Sequence, residues 1–243
     1  MTLCSRLEGL FQAGSASSVE CDGSAVGALP RAEELVVYAR TTTIQADLAK
    51  IDDGIAHVRD QVIPAITAMD GCVGMSMLVD RESGRCIATS AWESEAALRD
   101  SAERVRPLRD GAERALGSST STVETWEVAV VHRDHATAEG SCARITWLSG
   151  NPNTTERAVD VFKMGVLPRV QALAGFCSAS LLTNREDGRV VGTVTFDSRE
   201  RLESSRGSAA RIREAVSTDT GMRVKDVAEM EMALAHLHVP ELA

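Results

Sequence analysis

The chain has 243 residues, a net charge of −9 and 44% hydrophobic residues, enough apolar material for the cores of one or two globular domains. The negative charge disfavours nucleic acids and anionic membranes as partners, and no apolar run approaches the roughly 18 residues of a membrane-spanning helix. Six cysteines without paired spacing, and a start without a signal-peptide pattern, predict a cytoplasmic protein with reduced thiols and no metal site.

Residues 1–33 are rich in Gly, Ser and Ala and show no hydrophobic periodicity, which predicts a disordered arm. The rest of the chain is an internal repeat, because Ala39-Arg40 returns as Ala143-Arg144 and residues 81–85 return as 185–189, at a constant offset of 104 positions. A period of this length corresponds to a whole domain. We therefore predict a first repeat over 34–132, a linker over 133–141 and a second repeat over 142–240.

Each repeat is predicted to contain six elements in the order strand, helix, strand, strand, helix, strand. In the first repeat these are residues 35–44, 51–69, 72–79, 85–92, 94–115 and 122–131. Gly71 is the predicted end of the first helix, and Ser94, repeated as Ser198, is the predicted N-cap of the second.

This element order predicts an α+β fold of two tandem ferredoxin-like domains (β-α-β-β-α-β). In such a domain both helices cover the same face of the sheet, so the other face remains to be buried. The two copies can bury these faces against each other. We therefore expect the sheets to pack face to face as an intramolecular pseudo-dimer.

Three features suggest a family: Gly71 after the first helix, the charged hairpin turn Arg81-Glu82-Ser83-Gly84, and Trp92-Glu93-Ser94-Glu95 leading into the second helix. On these residues the chain resembles the antibiotic-biosynthesis-monooxygenase family of dimeric α/β barrels, as two tandem copies over about residues 34–240. It is similar, more closely, to uncharacterised tandem-repeat proteins of mycobacteria through residues 55–60, 78–81 and 176–180. The resemblance implies that the two repeats form an intramolecular dimeric α/β barrel.

The monooxygenase family includes proteins that oxidise polycyclic aromatics without a cofactor and proteins that degrade haem. The haem-degrading members resemble one another in an Asn on the first strand, a Trp at the end of the third strand and an iron-ligating His on the second helix. Trp92 matches that Trp, but the strand around Arg40 has no Asn and residues 94–115 contain no His. The departures argue against haem, and we expect no cofactor.

Three side chains are candidates for ligand binding. Arg40 could hold a carboxylate or an enolate, although its repetition as Arg144 favours an ion pair, for example with Glu127 or Glu231. Trp92 could form the wall of a pocket, or it could be a core aromatic. Arg109 belongs to an arginine cluster that could attract an anion, but interleaved acidic residues favour ordinary ion pairs on a solvated helix face.

The histidines give weaker signals. His57 lies off the apolar stripe of its helix and is expected to be exposed. His132 and His236 close the last strands of the two repeats, where a histidine either supplies a general base near neutral pH or simply caps the strand. No catalytic residue is identified from these patterns.

The sequence therefore predicts a small-molecule-binding protein, with a cofactor-independent monooxygenase of a small aromatic or enolisable compound as its most specific form. Trp92, Arg40 and Arg109 would wall the pocket, hold the anion and orient it. The alternative is a non-catalytic scaffold or stress-associated interaction protein, and either could form a homo-oligomer. The differences Trp92/Phe196 and Thr43/Trp147 between the repeats favour one open pocket, in the first repeat.

Overall fold

The computed structural model describes residues 36–237 and 239–242, so the arm predicted over 1–33 lies outside the described residues. The first repeat contains β1 (Val37–Gln45), α1 (Ile51–His57), α2 (Ile63–Thr67), β2 (Cys72–Val79), β3 (Arg85–Trp92), α3 (Glu95–Asp100), α4 (Ala102–Ala115) and β4 (Ser121–Arg133). The second repeat contains β5 (Cys142–Ser149), α5 (Thr155–Val161), α6 (Leu167–Gln171), β6 (Phe176–Asn184), β7 (Arg189–Phe196), α7 (Arg199–Ser204), α8 (Arg206–Thr220) and β8 (Arg223–Leu237). Among the described residues, no helix is long and apolar enough to cross a membrane.

The eight strands form one closed antiparallel barrel in the order β1-β3-β2-β8-β5-β7-β6-β4. Each repeat contributes a four-stranded sheet, and the sheets are joined at two seams, where β2 pairs with β8 and β4 pairs with β6. The predicted α+β fold, an intramolecular dimeric α/β barrel of tandem ferredoxin-like halves, is confirmed. We expected the two sheets to pack only face to face. They are also joined edge to edge by hydrogen bonds at both seams, which closes the barrel.

The first helical segment of each repeat is interrupted by a wide π turn, at Val58–Val62 and at Phe162–Val166. A proline follows each turn, Pro64 in α2 and Pro168 in α6. Proline has no backbone N–H and its ring collides with the carbonyl group four residues earlier. A wider turn relieves this collision without ending the helix.

The second helix of each repeat begins at the predicted cap. The Ser94 hydroxyl accepts a hydrogen bond from the Ala97 backbone N–H at 3.1 Å, and Ser198 caps α7 in the same way. This helix is divided at Ser101 in the first repeat and at Ser205 in the second. The division matters for the site because it turns a buried serine hydroxyl towards the first strand.

The apolar side chains form a barrel interior and separate layers under the helices of each repeat. The barrel interior includes Val37, Ala39, Trp126, Val128, Ala143, Ile145 and Met230. Odd-numbered residues at the start of β1 point inwards, so Arg40 and Ile44 face the helices. The helix-facing layer, not the barrel interior, therefore carries the candidate site.

Candidate functional site

Arg40 of β1 and Arg144 of β5 occupy equivalent places under the second helix of each repeat. Both are nearly buried, with 6% and 5% of the residue exposed. Arg40 donates to Ser101 Oγ at 3.0 Å and to the Leu98 carbonyl oxygen. Arg144 makes the same two contacts with the equivalent residues of the second repeat. The divided helix therefore fixes both guanidinium groups in the same orientation.

In the second repeat a carboxylate completes this arrangement. Glu229 of β8 lies opposite Arg144, and its Oε1 accepts hydrogen bonds from Arg144 Nε at 3.0 Å and from Arg144 Nη2 at 2.6 Å. Arg206 binds the other carboxylate oxygen at 2.6 Å. Burial alone would raise the pKa of Glu229, but the hydrogen bonds from Arg206 and Arg144 outweigh it and lower that pKa below its ordinary value.

In the first repeat both partners are missing. Thr125 lies opposite Arg40 in the register that Glu229 has with Arg144, and the residue equivalent to Arg206 is Ala102. No carboxylate of the described residues forms an ion pair with Arg40. Burial lowers the pKa of Arg40, and repulsion from Arg109 adds to this effect. Arg40 is thus a buried cation that no acid in the described part of the chain compensates.

The prediction that Arg40 and Arg144 pair with Glu127 or Glu231 was wrong. Glu127 binds Arg185 at 2.8 Å, and Glu231 binds Arg81 at 3.2 Å. Both arginines belong to hairpin turns of the opposite repeat, so these ion pairs connect the two halves across the barrel seams. The glutamates lie further along their strands than Thr125 and Glu229, and each meets the turn from across the seam.

An open groove of about 580 Å³ lies beside Arg40, between the second helix of the first repeat and the seam with the second repeat. Its charged and polar lining includes Tyr38, Glu95, Arg99, Arg106, Arg109, Thr125, Glu127, Thr183 and Arg185. The Thr183 hydroxyl is buried and has no hydrogen-bond partner among the described residues. Because residues 183–186 belong to the second repeat, both halves build this groove.

A smaller apolar cavity of about 40 Å³ lies behind the groove in the first repeat, and Arg40, Val105 and Arg109 line both spaces. The equivalent cavity in the second repeat is larger, about 80 Å³, and almost entirely apolar. The sequence favoured the first repeat as the one with the open pocket. The larger of the two cavities under the helices lies instead in the second repeat. Gly192 and Ala209 leave more room than Ala88 and Val105, whereas Phe162 takes more room than Val58.

Trp92 lies in the core rather than in the wall of either space in the first repeat. It is fully buried, and its indole N–H donates to Ser90 Oγ at 3.1 Å. The Arg40 guanidinium lies 5.7 Å from the centre of the Trp92 ring, within the range of a cation–π contact. Of the three predicted site residues, the structure thus brings Arg40 and Arg109 together and places Trp92 behind them as a support.

The remaining predicted residues do not enter the groove. His132 contacts Glu241 at 2.5 Å and Gln171 at 2.6 Å and stacks on Phe176, which supports the interpretation of a strand cap. No cluster of three or more possible metal ligands occurs among the residues that the structure describes.

Thr125, Ala102 and Thr183 were not identified from the sequence. For the first two a signal exists in the repeat itself, because both differ from their counterparts in charge while their surroundings, including Arg40 and Ser101, are kept. Thr183 gave no such signal, since only the barrel seam brings it to the first repeat.

The fold and the helix-covered site define a tandem protein of the dimeric α/β-barrel class that includes antibiotic-biosynthesis-monooxygenase-like proteins. Among solved structures, the chain is similar to a candidate monooxygenase from Fusobacterium nucleatum (TM-score 0.63, 10% identity, 86% of this chain and 97% of the other). It is also similar to an anthrone oxidase-like protein (TM-score 0.61, 14% identity, 87% and 96% covered). At these identities the similarity establishes the fold alone.

The chain belongs to the same family as two proteins of Mycobacterium tuberculosis, the uncharacterised proteins Rv2557 and Rv2558. It is 50% identical to each over 222 residues, which cover 90% of this chain and 99% and 94% of the two relatives. No protein-family model matches the chain.

Proposed function

We propose that the protein binds a small organic molecule as its anion in the groove of the first repeat, and that it is a cofactor-independent monooxygenase of a small aromatic or enolisable compound. The observation that carries this proposal is the position of Arg40 and Arg109, which line both the open groove and the apolar cavity behind it. A ligand with an apolar body and an anionic oxygen matches such a boundary.

The chemistry requires little more than binding. Two guanidinium groups stabilise an enolate or phenolate and lower the pKa of the bound compound, so that more of it is deprotonated at neutral pH. An electron-rich anion of this kind reacts with O₂ directly. A CH₂ group becomes a carbonyl group, with one oxygen atom retained in the product and the other released as water with the two hydrogens.

The structural neighbours support this choice of reaction class, because an anthrone oxidase-like protein and candidate monooxygenases share the barrel. Arg40 is also well prepared for its role. Ser101 and the Leu98 carbonyl hold its guanidinium before any ligand arrives, so little conformational freedom is lost on binding.

The test is to titrate the protein with 1-naphthol and anthrone, following intrinsic tryptophan fluorescence, and to measure O₂ uptake with an oxygen electrode. We expect binding of both compounds and slow O₂ uptake with anthrone. Arg40→Gln and Arg109→Gln should each weaken binding by about tenfold, the effect of losing one charge-assisted hydrogen bond.

Arg213→Gln is the matched control, because Arg213 is the counterpart of Arg109 in the second repeat. It should leave binding in the first repeat within about twofold of the unmodified protein. Binding that is equally weakened by Arg213→Gln would contradict the assignment to the first repeat. Absence of any binding would favour the alternative of a non-catalytic scaffold.

A further inference from the structure

The two repeats differ in one respect that identifies the chemical group of the ligand. We propose that Arg40 binds the carboxylate of a small monocarboxylic acid, in the place that the side-chain carboxylate of Glu229 occupies beside Arg144. This inference rests on the proposed function, whose site it shares, and it narrows the ligand from any organic anion to a carboxylic acid.

The two buried arginines are held in the same geometry. Arg40 and Arg144 are fixed by equivalent contacts with the divided second helix, so they present the same edge to the neighbouring strand. In the second repeat that edge is filled, since Glu229 accepts two hydrogen bonds from Arg144. The chain therefore contains its own example of what this edge binds, namely one carboxylate.

The first repeat has open space beside Arg40. Where the second repeat has the long side chains of Glu229 and Arg206, the first repeat has Thr125 and Ala102, and both of these line the groove beside Arg40. The volume that the ion pair fills in one repeat is thus open in the other. The groove continues past the seam, which leaves room for the rest of the acid.

The charges around Arg40 differ from those around Arg144. Buried Arg40 has no acidic partner among the described residues, and it is repelled by nearby Arg109, which itself pairs with Glu113 at 3.9 Å. The groove is also lined by Glu95, Glu127 and Glu186. Because Arg99, Arg106 and Arg185 line it as well, the rim of the groove has mixed charge, and the open edge of Arg40 is what favours a carboxylate. The unpartnered Thr183 hydroxyl offers one further hydrogen bond in the same groove.

The experiment uses the full-length protein and calorimetric titration with benzoate, with benzamide as its uncharged analogue. We expect benzoate to bind at least about tenfold more tightly than benzamide, with one site per chain. Thr125→Glu should supply an internal carboxylate to Arg40 and weaken benzoate binding by at least about tenfold. Thr125→Gln adds the same bulk without the charge, and it should bind benzoate at least about fivefold more tightly than Thr125→Glu.

A reciprocal variant tests the same idea in the other repeat. Replacing Glu229→Thr and Arg206→Ala together should expose Arg144 and raise the stoichiometry from one benzoate to two. If this double variant does not fold, the comparison of Thr125→Glu with Thr125→Gln still decides the question, because the second repeat already has a glutamate at the equivalent position, Glu229.

The outcomes separate the two proposals. If 1-naphthol binds in a manner that depends on Arg40 but benzoate is no better than benzamide, the carboxylate assignment is overturned and the proposed function stands. Unchanged benzoate affinity in Thr125→Glu also overturns the assignment. If neither compound binds, both proposals fail.

Discussion

At the scale of single residues, Trp92 and Phe196 occupy equivalent positions in the two repeats but have different surroundings. Both are fully buried, but Phe196 borders the cavity of about 80 Å³ in the second repeat, whereas Trp92 lines neither the groove nor the smaller cavity of the first repeat. Trp92→Ala should therefore cost about 4–5 kcal/mol of unfolding free energy and Phe196→Ala about 3 kcal/mol. Urea denaturation of both variants measures the difference.

The reverse order would mean that Trp92 is poorly packed and faces an open space, as the sequence-based hypothesis of a pocket wall requires. The sequence could not decide this question. A large aromatic at the end of β3 suits a core and a pocket equally well, and only the contacts of its ring distinguish them.

The sequence also could not predict which of the two arginines has an acidic partner. Arg40 and Arg144 stand in nearly identical local sequences, yet the residue that decides their difference lies 85 positions away for Arg144 and Glu229. The pairing register of β5 and β8 brings Glu229 into contact with Arg144. The register between two distant strands cannot be derived from the sequence of either strand alone.

At the scale of elements, Glu229 connects β8 to β5 through Arg144 and to the start of α8 through Arg206. Because its pKa is lowered in the folded protein, it contributes stability above the ordinary carboxyl pKa of 4.5, and this contribution is lost as the pH falls through the folded-state value. Glu229→Gln should therefore cost about 2 kcal/mol at pH 7, and the cost should shrink as the pH falls below 4.5.

Denaturation curves across this pH range check the prediction. Glu103→Gln is a suitable control, since Glu103 forms an exposed pair with Arg106 on the helix surface and such pairs contribute little. A cost for Glu229→Gln that does not depend on pH would show that shape, not charge, makes the contact valuable.

Local element boundaries were the most predictable part of the fold. The strands predicted over 72–79 and 85–92 are found with those bounds, and a glycine with positive φ directly precedes each of them, Gly71 and Gly84. The interruptions inside the helices were not predicted. Apolar spacing alone does not reveal a π turn or a division at a buried serine.

At the scale of the whole molecule, the two seams make the repeats dependent on each other. A fragment of residues 34–135 would lose the partner strands of β2 and β4 and the cover for its inner sheet face. We expect this fragment to self-associate or aggregate, because so much open edge and apolar surface is not tolerated in a monomer. Light scattering that reveals a stable, folded monomer would contradict the interdependence.

The closed barrel also makes the order of the two halves along the chain arbitrary. Val37 of β1 pairs with Val128, and Leu242 pairs with Val131 a few residues further along the same strand. The end of the described chain therefore returns beside the start of β1, where a short peptide can join them. A circular permutant opened between β4 and β5 would keep every strand neighbour, with the second repeat translated first and the groove unchanged.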